Sequence, residues 1–176
     1  VTATQPELIA QHYEKAQRTE LAFPFWMRAG ERALARSANY EAVDHFQNAL
    51  AIAERIPKGP VRRTNLLAAI LRLGDALFAA GRMTDSLAQY RLAAQLAREG
   101  ADTQAFVRAV IGLDGSKFLS SNSLAETVPL LKEALTMVQP ADESSRCQLL
   151  SRLARGYTYL SDSNNAAKYV VEGIEL

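Results

Sequence analysis

The chain has 176 residues, of which 20 are Lys or Arg and 19 are Asp or Glu, so its formal net charge is +1. Its 48% hydrophobic and 22% charged residues are typical of a globular protein and exclude disorder as the main state. The balanced charge gives no electrostatic case for binding nucleic acid or an anionic membrane surface. No apolar run approaches the roughly 20 residues of a membrane span. With the single cysteine Cys147 and no visible export signal, we expect a cytoplasmic protein.

In chain order, apolar residues recur every three to four positions between breaks at Pro57–Pro60, Gly81, Gly100 and Pro140. That spacing is typical of amphipathic helices, and no comparable run alternates with the period of a strand. It predicts nine helices, at about 6–18, 20–37, 40–56, 61–80, 84–99, 102–120, 124–138, 143–160 and 164–176. Short polar side chains that can cap a helix stand near five of the starts: Asn39, Thr84, Asp102, Ser123 and Asp142.

Eight of these helices form four pairs with one repeated pattern. The first helix of each pair carries Trp26-x2-Ala29-Gly30-x2-Ala33, Ile70-x2-Leu73-Gly74-x2-Leu77, Ile111-x2-Asp114-Gly115-x2-Phe118 or Leu150-x2-Leu153-Ala154-x2-Tyr157. The second helix carries Ala42/Phe46/Ala49, Ser86/Tyr90/Ala93, Thr127/Leu131/Ala134 or Ala166/Val170/Gly173. In every pair, 16 residues separate the first large residue from the first small one. Small residues between large ones let two helices approach closely, so each pair is predicted to be a hairpin.

One hairpin cannot bury both of its faces, whereas stacked hairpins share a continuous core. We therefore predict an all-α, right-handed superhelical solenoid of antiparallel helix pairs. The predicted hairpins span about 23–57, 61–99, 102–138 and 143–176. Residues 1–22 are predicted to form an N-terminal helix that serves as a cap or as a link to a preceding module.

The pattern resembles the tetratricopeptide repeat (TPR) family over roughly residues 23–176. The second hairpin is the best match, with packing residues at Leu73-Gly74, Leu77, Gly81, Tyr90 and Ala93. Two residues depart from the family's pattern, Asp114 in an apolar place and Gly173 in place of Ala. The steps of 39–44 residues between hairpins also exceed the usual repeat length of about 34. The longer steps are similar to the extended variants found in bacterial signalling proteins.

A narrower resemblance lies at the N-terminal end. Pro6-Glu7-Leu8 to His12-Tyr13, Trp26-x2-Ala29-Gly30-Glu31-Arg32-Ala33 and Ser37-Ala38-Asn39-x-Glu41-Ala42 are similar to the repeat region of bacterial adenylate-cyclase-like and related ATPase multidomain regulators. This resemblance implies one function for the chain, a regulatory or sensory arm that acts on an attached ATPase or cyclase.

No catalytic, cofactor or metal site is predicted. The segment Gly112-Leu113-Asp114-Gly115-Ser116-Lys117 lacks the four-residue gap of a phosphate loop, and we interpret its glycines as packing residues. His12 and His45 have no metal-ligand spacing to other candidates. Cys147 has no elbow motif around it, and we expect it to pack as a small apolar group. An enzyme with an unrecognised site is the least favoured alternative.

The resemblance instead implies a concave groove lined by the first helix of each hairpin. Its predicted peptide-binding residues are Met27, Glu31, Leu71, Asp75, Phe78, Leu113, Ser116, Ser151, Arg155 and Tyr159; Leu34 and Leu119 could belong either to the groove or to the core. We expect a non-catalytic protein–protein interaction scaffold that binds a peptide or protein segment, including one from its own polypeptide. Chaperone-binding members of the family hold a C-terminal carboxylate with Lys, Asn and Arg on these faces. In this chain Met27, Glu31 and Arg72 stand at three of those places, so the clamp is absent and no acidic chaperone tail is expected.

The last predicted helix carries Val170, Ile174 and Leu176 with no polar capping helix after it. Uncapped terminal repeats tend to associate. We therefore expect a homodimer through exposed terminal helices as a lesser property of the chain.

Overall fold

The computed structural model of the protein describes residues 5–120 and 124–176. Within those ranges it consists of nine α-helices and one short 3₁₀ turn, with no strand. The helices are α1 (Pro6–Lys15), α2 (Thr19–Ala35), α3 (Asn39–Arg55), α4 (Pro60–Ala79), α5 (Met83–Glu99), α6 (Thr103–Leu119), α7 (Thr127–Met137), α8 (Glu143–Tyr159) and α9 (Ser163–Ile174), and the 3₁₀ turn is Leu124–Glu126. The prediction of an all-α chain is confirmed, since every predicted end lies within three residues of an observed one. None of the helices so described is both long and apolar enough to span a bilayer.

Two of the predicted caps are confirmed. The Asp102 carboxylate accepts a hydrogen bond from the backbone N–H of Ala105 at 3.0 Å, and Asp142 accepts one from Ser145 at 3.1 Å. The bonds from Ser145 lower the pKa of Asp142 because they stabilise the ionised carboxylate. These side chains satisfy N–H groups that the first helical turn leaves without a partner.

The other cap predictions have different outcomes. Asn39 is the first residue of α3 rather than its cap, and its Nδ2 donates instead to the backbone oxygen of Ala79 at 2.8 Å. Thr84 lies inside α5, so its prediction is also wrong. Ser123 lies outside the described residues. Asp162, which the sequence reading did not single out, caps α9 through the backbone N–H of Asn165 at 3.1 Å.

A left-handed residue reverses the chain at several helix ends. Ser37 and Ser161 have φ of 60° and 61°, and Gly81 has φ of 76°. Gln17 and Ala101 also have positive φ, at 56° and 52°. Each of these residues begins a tight connection to the next helix, and such short connections make consecutive helices antiparallel neighbours.

Two compact units divide the chain, the first ending at Gln89 and the second beginning at Tyr90. In the first unit, α1 packs on α2, α2 on α3 and α3 on α4. Gly30 of α2 faces the Phe46 ring of α3, where a Cβ would come within 2.5 Å of a ring carbon. The predicted role of Gly30, close approach between two helices, is therefore confirmed.

In the second unit, α6 packs on α7, α7 on α8 and α8 on α9. Its largest fully buried apolar side chains include Phe106, Leu131 and Leu150. Gly112 faces the Tyr90 ring, and an added Cβ would come within 2.4 Å of it. The glycine-rich segment is thus part of a continuous helix, and the packing interpretation of Gly112 is confirmed.

Three expectations about packing are wrong. Phe118 and Val170 occupy large-residue places in the repeat pattern, yet they are 44% and 49% exposed. On α9 the buried aromatic side chain is Tyr169, one position away, which stacks on Tyr157 with ring centroids 5.6 Å apart. One residue turns a helix by about 100°, so a one-place shift moves a side chain off the packed face. Cys147 is exposed rather than packed, and it is not among the buried residues of α8.

Candidate functional site

In the first unit, the predicted groove residues lie on α2 and α4. Glu31 is exposed, whereas Met27, Asp75 and Phe78 are partly exposed. The Arg72 guanidinium stands between the two carboxylates, with Nη2 3.2 Å from Glu31 Oε1 and Nη1 3.6 Å from Asp75 Oδ2. The structure therefore brings Glu31 and Asp75 together through an arginine that was not predicted as a site residue.

Some of the predicted groove residues lie in the core. Leu71 and Leu113 are 4% and 2% exposed, and Ser116 is fully buried, so none of the three offers surface to a ligand. Leu34 packs against the core cluster around Phe46, which favours the core alternative for it. Leu119 is 56% exposed and stays a surface candidate.

In the second unit, a buried ionic cluster joins α6 to α8. Asp114 is fully buried on α6. Its Oδ1 accepts a hydrogen bond from Thr127 Oγ1 at 2.9 Å, and its Oδ2 accepts one from Arg155 Nη2. Arg152 Nε lies 3.7 Å from the same Oδ2, within ion-pair distance. A buried carboxylate needs such partners, because an unpaired one costs far more than a buried hydroxyl or amide.

Two arginines share this one carboxylate. Burial lowers the pKa of Arg152, and the neighbouring positive charge of Arg155 lowers it as well, while Asp114 acts in the opposite direction. The Arg155 guanidinium also lies over the Phe118 ring, 4.4 Å from its centroid. This cation–π contact gives the 44% exposed Phe118 ring a partner from another helix.

A second polar group lies beside the cluster, on the same helix. Lys117, 6% exposed, places Nζ 2.8 Å from Glu126 Oε2, and Arg91 Nη2 lies 3.2 Å from that oxygen. The hydrogen bond from Lys117, more than the charge of Arg91, lowers the pKa of Glu126. The lysine of the glycine-rich segment therefore has a protein carboxylate as its partner, which is the opposite of what a phosphate loop requires.

The other predicted residues of this unit lie on the exposed side of α8. Ser151 donates its hydroxyl to the backbone oxygen of Gln148 at 3.0 Å, within its own helix. Tyr159 is 58% exposed, and Arg155 has 36% of its side chain exposed. The structure thus brings Arg155 close to Asp114 and Phe118, whereas the Ser151 hydroxyl stays engaged with its own helix.

His45 contacts a carboxylate and an aromatic ring of the first unit. His45 Nε2 lies 3.3 Å from Glu41 Oε1, and its ring stands 5.5 Å from that of Trp26. Across residues 5–120 and 124–176, no group of three or more His, Cys, Asp or Glu side chains is placed to hold a metal ion.

Two open depressions lie at helix ends, one in each unit. The first, of about 370 Å³, is lined by residues including Arg18, Glu20 and Arg55. The second, of about 600 Å³, is lined by residues including Val107, Val138 and Asp142. None of the predicted groove residues lines either of them.

Sequence reasoning missed Arg72, Arg152 and the role of Thr127. A signal was present for the last two, because an aspartate in an apolar repeat position requires a buried partner. Searching the next first helix for a basic residue would have found Arg152 and Arg155.

No protein-family model matches the sequence, and no curated protein is similar to it in sequence. Solved structures do match its fold. Aspartyl phosphate phosphatase F from Bacillus subtilis matches with a TM-score of 0.75 at 16% identity, over 87% of this chain and 39% of that one. The apo form of RapI matches with a TM-score of 0.75 at 11% identity, over 96% of this chain and 51% of that one. The chain thus spans about half, or less, of the length of these two proteins.

Two further structures extend the comparison. The Rap conjugation gene regulator of plasmid pLS20, solved in complex with the Phr* peptide, has a TM-score of 0.61 at 14% identity, over 97% of this chain and 52% of that one. A kinesin light chain protein of Podospora anserina with nearly identical TPR-like repeats has a TM-score of 0.66 at 14% identity, over 97% and 92% of the two chains. At these identities the likeness concerns the fold alone, and the chain has the all-α, antiparallel helical-repeat fold of the TPR-like solenoid proteins.

Proposed function

We propose that the protein is a non-catalytic interaction scaffold that binds a peptide or protein segment on the exposed faces of its first helices. The observation that carries the proposal is a shared surface chemistry in the two units. The α2–α4 face combines Glu31, Arg72 and Phe78, and the α6–α8 face combines Arg155 and Phe118. Apolar side chains supply affinity to such a surface, whereas charges fix the orientation of the segment.

The fold comparison supports the same proposal. One similar structure was solved with a bound peptide, and peptide binding is a use to which a helical-repeat surface is suited. The charged side chains of both faces are engaged with one another rather than arranged as a nucleophile with a base, which favours binding over catalysis. The bound segment comes from another protein or from the protein's own polypeptide.

Selection from a peptide library tests the proposal. Immobilised protein is exposed to a displayed library of random dodecapeptides, and the affinities of recovered peptides are measured by fluorescence anisotropy. Phe78→Ala and Tyr159→Ala are expected to weaken at least one recovered peptide each by about tenfold, since exposed aromatic anchors dominate such contacts. Tyr40→Ala, which removes a 70% exposed aromatic side chain from a second helix, is the matched control. No recovered peptide, or equal losses in all three variants, would contradict the proposal.

We further propose that the scaffold acts as a regulatory arm in a bacterial multidomain regulator that carries an ATPase or nucleotide cyclase module. The likeness of residues 6–42 to the repeat region of such regulators supports this. One of the similar structures is, by its own description, a regulator of conjugation genes. Reading the complete gene tests the idea directly: a gene that encodes no nucleotide-binding module beside the repeats rejects it.

A further inference from the structure

The connections that lead into the first helices differ in charge between the two units. In the first unit they are residues 17–20, before α2, and residues 55–63, before α4, and together we call them the basic edge. They carry one acidic side chain, Glu20, and five basic ones, Arg18, Arg55, Lys58, Arg62 and Arg63. The basic edge therefore has a formal excess of four positive charges.

The two connections of the basic edge lie together in the first unit. Arg18 and Glu20 line the same depression of about 370 Å³ as Arg55 and Ile56. The Arg62 guanidinium lies beside them, because its Nη1 donates to the backbone oxygen of Ile56 at 3.4 Å. The depression thus gathers positive charge from two separate connections on one surface.

The cations of the basic edge have no carboxylate partner. Within the described part of the chain, none of the five basic side chains forms an ion pair. Other arginines of the same unit do, since Arg36, Arg72 and Arg82 each pair with a carboxylate. Arg62 is partly exposed, and the other four basic side chains are exposed. The positive charge of this edge is therefore available to acidic groups of another molecule.

In the second unit, the corresponding connections are acidic. Residues 99–104 lead into α6 and residues 137–145 lead into α8, and together we call them the acidic edge. They contain no basic residue and four acidic ones, all of them exposed: Glu99, Asp102, Asp142 and Glu143. The depression of about 600 Å³ brings Thr103 and Gln104 of one connection together with Gln139 and Asp142 of the other. The acidic edge has a formal excess of four negative charges.

The carboxylates of the acidic edge are also without a cationic partner. Asp102 and Asp142 cap helices through one oxygen each, and a capping hydrogen bond favours the ionised carboxylate. The flanking Arg98 and Arg146 pair instead with carboxylates outside the edge. Between residues 5 and 120 and between 124 and 176, no ion pair involves any of the four acidic side chains. Their negative charge is therefore available as well.

We propose that the basic edge of one copy of the chain binds the acidic edge of a second copy. The two edges have equal and opposite formal charge, and each presents it around an open depression. A second copy is favoured over a nucleic acid or a membrane surface, because the complement of each edge is present on the chain itself and the net charge is only +1. The contact goes beyond the proposed scaffold function and does not involve α9.

Sedimentation equilibrium of the complete chain at low and high salt is the first test. Opposite charges steer association and fix its register, and salt screens exposed charges. The dissociation constant for self-association is expected to rise at least about tenfold between about 50 mM and about 500 mM NaCl. Association through the apolar face of α9 would not weaken in this way, so the salt dependence separates the two contacts.

Two charge-reversal variants form the second test. Lys58→Glu with Arg63→Glu cancels the excess charge of the basic edge, and Glu99→Lys with Glu143→Lys cancels that of the acidic edge without removing a helix cap. Each variant alone is expected to self-associate at least about tenfold more weakly than the unchanged chain. An equimolar mixture is expected to recover association, because each variant supplies the intact edge that the other lacks.

The control variant is Glu7→Lys with Asp44→Lys, which changes the net charge as much as the acidic-edge variant does but lies outside both edges. Its self-association is expected to stay within about twofold of that of the unchanged chain. Recovery in the mixture requires that both edge variants are folded, so it separates a lost contact from a lost fold.

Three results would overturn the inference: a chain that is monomeric at low salt, edge variants that associate as the unchanged chain does, or a mixture that stays monomeric. A polyglutamate probe shows what the basic edge binds in the first of these cases. Binding of the probe to the monomer, lost in Lys58→Glu with Arg63→Glu, would assign the basic edge to a different acidic partner.

Discussion

Each unit joins two successive first helices by an arginine–carboxylate pair, and the two pairs differ in one respect. Arg72 pairs with Glu31 in the first unit and Arg155 with Asp114 in the second, both across 41 residues. The arginines are equally exposed, at 36% of their side chains, whereas Glu31 is 47% exposed and Asp114 is fully buried. The carboxylate of the pair is therefore solvated in the first unit and buried in the second.

The difference shows what the repeat position demands. The place of Asp114 in the third hairpin is that of Leu73 in the second, and Leu73 is a core residue in the cluster around Phe46. A solvated pair contributes little to stability because water already stabilises both charges. A pair with a buried member is different, since loss of one partner leaves a charge without compensation. We therefore expect the stability of the second unit to depend on its pair more than that of the first unit does.

The largest expected effect comes from breaking the two pairs in the same way. Arg155→Leu is expected to lower the free energy of unfolding by about 3 kcal/mol, because Asp114 loses its hydrogen-bonded guanidinium. Arg72→Leu is expected to lower it by about 0.5 kcal/mol or less. Urea denaturation followed by circular dichroism measures both. Equal losses would show that burial of the carboxylate is not what distinguishes the units.

The comparison is sharpened by giving the place of Asp114 an apolar residue, as Leu73 has in the second hairpin. Asp114→Leu combined with Arg152→Leu and Arg155→Leu is expected to recover most of the stability lost in Arg155→Leu alone, since well-packed apolar residues replace buried ion pairs at little or no cost and neither arginine is left without its carboxylate. A triple variant as unstable as the single one would contradict this expectation.

The glycine under an aromatic ring is a feature that the units share. Gly30→Ala and Gly112→Ala are each expected to lower the free energy of unfolding by about 1–2 kcal/mol, because the new methyl group overlaps Phe46 or Tyr90. Gly59→Ala is the matched control, since an added Cβ there meets no atom within 4 Å. Thermal unfolding of the three variants distinguishes steric overlap from a general effect of replacing glycine, because a general effect would shift the melting temperature of all three by the same amount.

A smaller expected effect is the loss of stability at acid pH that comes from the Arg98–Glu133 pair of the second unit. The hydrogen bond from Arg98 lowers the pKa of Glu133. A depressed folded pKa contributes stability that is present above the unfolded pKa of about 4.3 and is lost as the pH falls through the folded value. Glu133→Gln is therefore expected to flatten the decline of the melting temperature between about pH 5 and pH 3. An unchanged acid profile would show that this surface pair has no role in it.

The smallest expected effect concerns association through α9. Val170, Val171 and Ile174 are 49%, 53% and 78% exposed. If this face holds two copies together, replacing Val170 and Ile174 by Ser is expected to lower the dimer fraction in light scattering at high protein concentration. Val61→Ser, at a 61% exposed valine of α4, is the control. A monomer at every concentration would reject the homodimer.

The helices were predictable because hydrophobic period and helix breakers are local properties of the sequence. The close approach at Gly30 was also predictable, since a small residue between large ones has few other uses. The burial of positions near the ends of the repeats was not predictable. Phe118 fits the hydrophobic period but packs against the Arg155 guanidinium at the surface, and that contact depends on a residue of another helix.

The candidate site was predictable in part for the same reason. The hydrophobic period identifies which helix carries Leu71 and Ser116, but it does not show whether their side chains are exposed in a groove or buried in the core, and both are buried. Arg155 was named, whereas its carboxylate partner was noted only as a departure from the apolar pattern. An aspartate in an apolar place indicates a buried partner, but which basic side chain of α8 reaches it depends on how α6 packs against α8.

The turns between helices have a consequence for engineering. Ser37 and Ser161 hold the left-handed conformation that Gly81 adopts in the corresponding turn, with φ of 60° and 61°. A side chain in this conformation costs about 1 kcal/mol more than glycine does. Glycine at both turns would release that strain without altering either packed face. Such a gain would offset part of the stability that a destabilising change on the binding surface removes.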